Sequence, residues 1–335
     1  MQTSHKLTHV LLALAALFVL SSSALAQITG PGATFPATSE LSDQKQGSVL
    51  IYNLYSSSPA NPLSENTIIN ITNTSSTSGA FVHLFFIDGS NCSVADAFIC
   101  LTANQTVSFS MLDIDPGVMG FIIAVASDPV TGCPINFNFL IGDEYVKLAS
   151  GHSANLGAEA VTAVAANPVT CAATADTATL AFNGVAFGRL PRVLAADSIP
   201  SAADASTQIV INRIGGSLIT GVGNIGTIFG VFFDDIETGI SFNIPFSGCQ
   251  RKFIVSDSLP RLTPRFSTFV PAGRTGWAKF WVGSANNAIV GAELVNFNAA
   301  NSRNLGTFSG GHNLHKLTLT DAATLDIPIF TARCF

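Results

Sequence analysis

The sequence is poor in charge: Lys, Arg, Asp and Glu make up only 11% of its 335 residues, and the net charge is −6. A nucleic-acid binder needs a basic excess, so no nucleic-acid partner is expected. Three Tyr and two Trp are too few to build the paired aromatic girdles of an outer-membrane barrel, although there are 25 Phe. No C-x-x-C, H-E-x-x-H or G-x-S-x-G pattern occurs, which removes the local signatures of thiolate zinc sites, metalloproteases and serine hydrolases. After residue 20 the apolar runs are broken every few residues by Gly, Asn, Ser or Asp, too often for a transmembrane helix.

What is present begins with export. Lys6, an unbroken apolar run from Val10 to Leu20 and the small-residue segment Ser23-Ala24-Leu25-Ala26 read as a bacterial-type signal peptide over residues 1–26. The protein is therefore expected to be secreted, periplasmic or on the cell surface. The Ser-, Thr-, Pro- and Gly-rich stretch 27–46 reads as a flexible N-terminal segment.

Six cysteines, an even number, follow the leader: Cys92, Cys100, Cys133, Cys171, Cys249 and Cys334. In an oxidising compartment they predict three disulfides. Nearness in sequence favours 92–100, 133–171 and 249–334, out of fifteen possible connectivities.

From residue 47 short runs rich in β-branched and aromatic residues alternate with turn clusters such as Asp88-Gly89-Ser90-Asn91 and Asp115-Pro116-Gly117. That rhythm predicts antiparallel hairpins. The Ala-rich stretch 154–166 reads equally well as helix or strand. Landmarks recur in order along the chain: Phe85-Phe86-Ile87-Asp88 with Phe232-Phe233-Asp234-Asp235, Gly120-Phe121 with Gly276-Trp277, Gly151-His152 with Gly311-His312, and Thr177–Phe182 with Ala322–Ile327. They predict an internal duplication. The expected organisation is an all-β chain of two tandem antiparallel sandwiches, 47–196 and 207–335, joined by a polar linker at 197–206.

The halves differ in charge. From Gln27 to Ala196 twelve acidic residues face four basic ones, and from Asp197 onward nine acidic face ten basic. The cations gather at Arg251, Lys252, Arg261, Arg265, Arg274 and Lys279, and complementary halves are able to dock within one chain or between chains.

Candidate sites are few. Gly221-Val222-Gly223-Asn224-Ile225-Gly226 fits the dinucleotide pattern, but the residues after it read as strand where that pattern requires a helix, so no cofactor is expected. His312 and His315 lie close together without a nearby acid and read as turn or strand-edge residues, with no metal assigned. Asp113, Asp115, Asp143 and Glu144 lack the ligand ladder of a calcium loop. Trp277 and Trp281 fall on one face of a strand and, with Tyr145, are candidates for stacking a ligand.

The strand rhythm and turn spacing over residues 47–335 resemble those of Ig-like β-sandwich modules in exported bacterial proteins. The resemblance implies a fold and carries no site residues. The expected role is a non-enzymatic structural or interaction protein acting on an unknown protein or glycan partner, self-association included. A carbohydrate- or ligand-binding module is the alternative. An outer-membrane β-barrel is the third reading, prompted by the alternation of Leu325, Ile327 and Ile329 toward Phe335 and opposed by Arg333 and the six cysteines.

Overall fold

The computed structural model describes residues 41–297 and 308–331. The signal peptide at 1–26, most of the segment 27–46, and Arg333, Cys334 and Phe335 lie outside the described residues. The described residues form one compact unit.

The chain is all-β, in five small and almost wholly antiparallel sheets. These form a single unit instead of two Ig-like sandwiches separated by a linker. In the first half the elements are β1 (Leu41–Ser42), β2 (Val49–Ser56), β3 (Asn66–Asn73), β4 (Ala80–Asp88), β5 (Val94–Leu101), β6 (Thr106–Ser110), the single turn α1 (Met111–Ile114), β7 (Met119–Ser127), β8 (Leu140–Lys147), β9 (Ser153–Gly157), β10 (Glu159–Val161) and β11 (Thr177–Phe182). The second half holds β12 (Pro191–Ser201), β13 (Ala205–Ile214), β14 (Gly216–Ser217), β15 (Gly221–Val222), β16 (Ile228–Phe233), β17 (Gly239–Ile244), β18 (Gln250–Ile254), α2 (Phe266–Phe269), β19 (Arg274–Val282), β20 (Ala288–Phe297), β21 (Phe308–Asn313), β22 (His315–Leu319) and β23 (Ala323–Pro328).

Sheet I runs β5-β4-β7-β2-β10-β1 and sheet II runs β6-β3-β8-β9; sheet III runs β17-β16-β19-β12-β22 and sheet IV runs β18-β13-β20-β21. Replacing each strand of sheets I and II except β1 by its counterpart in chain order reproduces sheets III and IV, down to the helical turn before β7 and β19. Sheets I and II share a core that includes Tyr52, Ile69, Leu84 and Ile122, and sheets III and IV share one that includes Ile211, Phe232, Phe253 and Phe280.

Sheet V (β11-β23-β14-β15) has no counterpart. It joins Thr177–Phe182 to Ala323–Pro328, with Leu180 opposite Leu325. The two segments that resemble each other in sequence are thus each other's ladder partners. Sheet V lies on the outer face of sheet I, where Leu180, Phe182, Leu325 and Ile327 pack with Ile51, Phe85, Phe121 and Ile123.

This covering explains the local sequence. A strand buried on one face alternates, as β3 does, whereas one buried on both reads as a continuous apolar run. Accordingly β2, with Val-Leu-Ile-Tyr-Asn-Leu-Tyr-Ser, is buried at every position.

Several expectations change. Residues 197–201 are the end of β12 and 205–206 the start of β13, so within the polar stretch 197–206 a tight turn at 202–204 carries the chain from sheet III to sheet IV. Leu41–Ser42 is a strand paired with β10, and Leu41 is buried, so the segment called flexible is ordered at its end. The ambiguous Ala-rich region contains β9 and β10.

The sequence landmarks find the right strands but not always the right register. With Gly120 matched to Gly276, Phe86 and Phe232 face Ile122 and Ala278, so the Phe-Phe match is one residue out. A slip of one reverses which face each side chain lines. Likewise His152 sits in the turn before β9, while His312 is within β21 and answers Leu156.

Cys133 bonds Cys171 as expected. Cys92 bonds Cys249 rather than Cys100, with Cα atoms 5.7 Å apart, and stitches the two halves together. The hairpin geometry forbids the expected 92–100 bond. Cys92 lies in the β4–β5 turn while Cys100 pairs with Phe81 at the far end, roughly 25 Å along the strand at ~3.3 Å per residue. A disulfide spans less than about 7 Å between Cα atoms. Cys100 is also oxidised.

Candidate functional site

Two features of the second half stand out, and both lie where the first half differs.

The first is the outer face of sheet III. Period-two alternation directs Phe229, Val231 and Phe233 of β16 and Trp277, Lys279 and Trp281 of β19 to that face, with Phe229 opposite Trp281, Val231 opposite Lys279 and Phe233 opposite Trp277. Phe233 and Trp277 stack with centroids 4.2 Å apart and 12° between their planes. The Lys279 ammonium lies 5.1 Å from the Phe233 centroid and 5.8 Å from that of Trp277. Burial lowers the Lys279 pKa below the ordinary lysine range. Both tryptophans are partly exposed on one face, as the alternation predicts. Tyr145, also exposed, is on β8 of sheet II and does not join them.

The second feature is a cluster of histidines and carboxylates. The chain crosses from sheet IV to sheet III at Leu314, whose buried side chain anchors the corner between β21 and β22. His312 stands opposite Glu293 on β20, and His315 stands opposite Ala195 on β12, two residues before Asp197. At Asp197 β12 bulges, its pairing with β19 breaking between Ala196 and Ile199. The bulge turns the carboxylate toward both rings. His312 Nε2 is 3.1 Å from Asp197 Oδ1, and His315 Nε2 is 3.1 Å from Asp197 Oδ2. Glu293 Oε2 lies 3.7 Å from His312 Nε2.

Burial raises the Asp197 carboxyl, but the hydrogen bond from His315 and the fields of both imidazoles outweigh it and hold the pKa below the usual range. Glu293 is pushed by burial up to about 7, against the lowering effect of His312. Neither Glu293 oxygen has a hydrogen bond of ordinary geometry.

The remaining sequence candidates disperse. Asp115 accepts the Tyr55 hydroxyl at 2.6 Å, Asp143 accepts the Asn70 amide, and Glu144 is buried under β2. Among the described residues these carboxylates do not converge on a cation. His152 bonds the Ser206 carbonyl across the halves. The glycine-rich 221–226 leads into strand β16. The cations are scattered, Arg274 pairing with Asp235, although Lys316 does bind the buried Glu159 of the first half at 2.8 Å.

Among the described residues no helix is long and apolar enough to cross a membrane. No known protein family matches the chain, and no curated protein matches it. Solved structures with some likeness include a Thermotoga maritima protein, 1070, at 9% identity and a TM-score of 0.24, covering 33% of this chain and 90% of that one. Another is a Streptomyces avermitilis α-L-rhamnosidase complexed with L-rhamnose, at 9% identity and a TM-score of 0.19, covering 85% of this chain and 28% of that one.

Proposed function

We propose that this chain is an exported, non-enzymatic structural or interaction protein, made of two divergent copies of one β-sandwich unit, which engages protein surfaces through the outer face of sheet III. One observation carries the reading. The same face in the first half is sealed by sheet V, whereas in the second half four aromatic rings and Val231 lie partly open. An exposed apolar patch of that kind marks an interaction surface. The disulfides support an oxidising destination.

The occupant to test first is a second copy of the chain. Sheet V already demonstrates that this chain's own strands make a suitable apolar cover. A glycan is the second reading, favoured by Trp281, which stands outside the Phe233–Trp277 stack. Trp277 itself suits a sugar poorly, because a stacking sugar needs an open ring face and Phe233 covers one.

The chain has only two tryptophans, both on this face, so intrinsic fluorescence reports its occupancy directly. Light scattering of the mature protein over a concentration series is expected to reveal association together with a blue shift in emission. A monomer with constant emission at every concentration refutes self-association. A shift on adding glycans instead selects the second reading. Recovery of the full chain from the cytoplasm alone overturns export.

A further inference from the structure

We propose that Asp197, His312 and His315 form a binding site for one divalent transition-metal ion, zinc in the first instance, with Glu293 as the buried carboxylate behind it. The donor atoms of the three residues all lie within 4.8 Å of one another. In the metal-free arrangement one carboxylate holds both imidazoles by their Nε2 atoms, so all three donors already face a common point. A zinc ion sits about 2.0–2.2 Å from each nitrogen and oxygen ligand, so tetrahedral donors stand roughly 3.4 Å apart, and rotation of the exposed side chains closes donors now within 4.8 Å of one another to that spacing. Imidazole with carboxylate selects zinc and its first-row neighbours over calcium or magnesium, which prefer all-oxygen sites.

Two further observations point to a ligand. Glu293 has 1% of its side chain exposed, and neither oxygen makes a hydrogen bond of ordinary geometry, although His312 Nε2 lies 3.7 Å away and the Asp197 backbone amide is beside it. It faces His312, in position to complete the coordination or to orient the ring. The second observation is the contrast between halves. Glu144 occupies the position of Glu293 in the first half, but there Oε1 accepts the Leu54 amide at 3.1 Å, so one oxygen of that carboxylate has a structural partner of ordinary geometry. The residues matching Asp197, His312 and His315 by register are Asn53, Leu156 and Glu159. The ligand set belongs to the second half alone.

The site is accessible. The side chains of Asp197, His312 and His315 are 53%, 43% and 56% exposed, which gives the ion a path of entry and leaves room for a water ligand. An ion there would tie the bulge of β12 in sheet III to the end of β21 in sheet IV.

The test is a titration of Zn2+ into the mature chain, prepared without a histidine tag and stripped with a chelator. One ion per chain is expected by calorimetry, with a rise in the thermal midpoint. His312→Gln and His315→Gln should each weaken binding by at least about 100-fold, and Glu293→Gln by about 10–100-fold. Absence of binding, or binding that survives the H312Q/H315Q double variant, overturns the proposal. A second readout needs no variant: in wild-type protein, zinc should shift the ring resonances of His312 and His315 and leave those of His83 and His152 in place. Shifts confined to other histidines also overturn it.

Discussion

Ile87, Phe121, Ile123 and Val125 of the first half match Phe233, Trp277, Lys279 and Trp281 of the second, strand for strand and register for register. The first four are buried beneath sheet V. The second four have no such cover and hold three flat rings and an ammonium where the first have one ring, Phe121, and three aliphatic chains. The strand order alone does not decide what a sheet face is for; what the chain later lays across it does. β11 and β23, each following the last strand of its half, both go to the same face and leave the other open.

The largest effect expected from breaking this relationship is covalent. Cys92–Cys249 spans 157 residues and Cys133–Cys171 spans 38. Closing the longer loop restricts the unfolded chain more, so replacing both members of the first pair by Ser should cost about 5 kcal/mol and the second about 4. Denaturant melts of the two double variants check the order. An equal or reversed cost would mean that Cys92–Cys249 is not the principal link between halves.

Next comes the cover itself. Leu325 is fully buried between sheets V and I, and Leu325→Ala should cost about 2–5 kcal/mol. Phe229, on the open face, is 37% exposed, and Phe229→Ser should cost under about 1 kcal/mol. Urea midpoints distinguish the two, provided the protein is dilute enough to be monomeric. If Phe229→Ser proves as damaging as Leu325→Ala, the face is covered in the monomer as well.

A third comparison concerns the buried carboxylates beneath the bulges. Burial pushes the Glu144 pKa well above the ordinary value, against the lowering hydrogen bonds from the Leu54 and Asn53 amides. Its folded pKa is raised, so the proton is bound more tightly in the native state. The stability this provides is complete below the unfolded pKa near 4.5 and is lost as pH rises toward the folded value. Glu144→Gln keeps the shape without the ionisation. It should therefore be more stable than wild type by about 1–3 kcal/mol at pH 8, with the advantage vanishing below pH 4. Thermal melts across that range check the slope, and a constant difference would mean that Glu144 stays ionised.

The sequence conveys part of this physics. Phe81-Val82-His83-Leu84-Phe85-Phe86 runs without alternation, as a doubly covered strand should, but β16, Ile-Phe-Gly-Val-Phe-Phe, is equally apolar with one face open, so the run by itself does not separate the two sheets. Strand existence and the duplicated landmarks were legible because both depend on local chemistry. The Cys92–Cys249 bond was not, because proximity along a hairpin is no measure of distance between its ends. The histidine cluster was hidden for a similar reason: His312-x-x-His315 carries no acid nearby, and Asp197 reaches it only through the pairing of β12 with β22. A signal existed in the Asp at the start of what looked like a linker, but only the sheet register gives it a partner.

The smallest expected effect tests what keeps the open face soluble. Lys279 holds the place that Ile123 has under sheet V, and its ammonium lies over two rings at the centre of the aromatic row. Lys279→Ile would make the two faces alike. Lys279 is 6% exposed; losing its cation–π contacts costs about 0.5–2 kcal/mol, and the added apolar packing and relief of a buried ammonium offset much of that, so monomer stability should shift by about 1 kcal/mol or less. Association should change far more than stability, because a charge that must be desolvated at the centre of a contact opposes it and an isoleucine does not. Light scattering is expected to show the variant associating at lower concentration than wild type, with a larger blue shift of the Trp277 and Trp281 emission. Weaker association would show instead that the ammonium contributes to binding, and the open face would then be a recognition surface for an anionic or aromatic partner group.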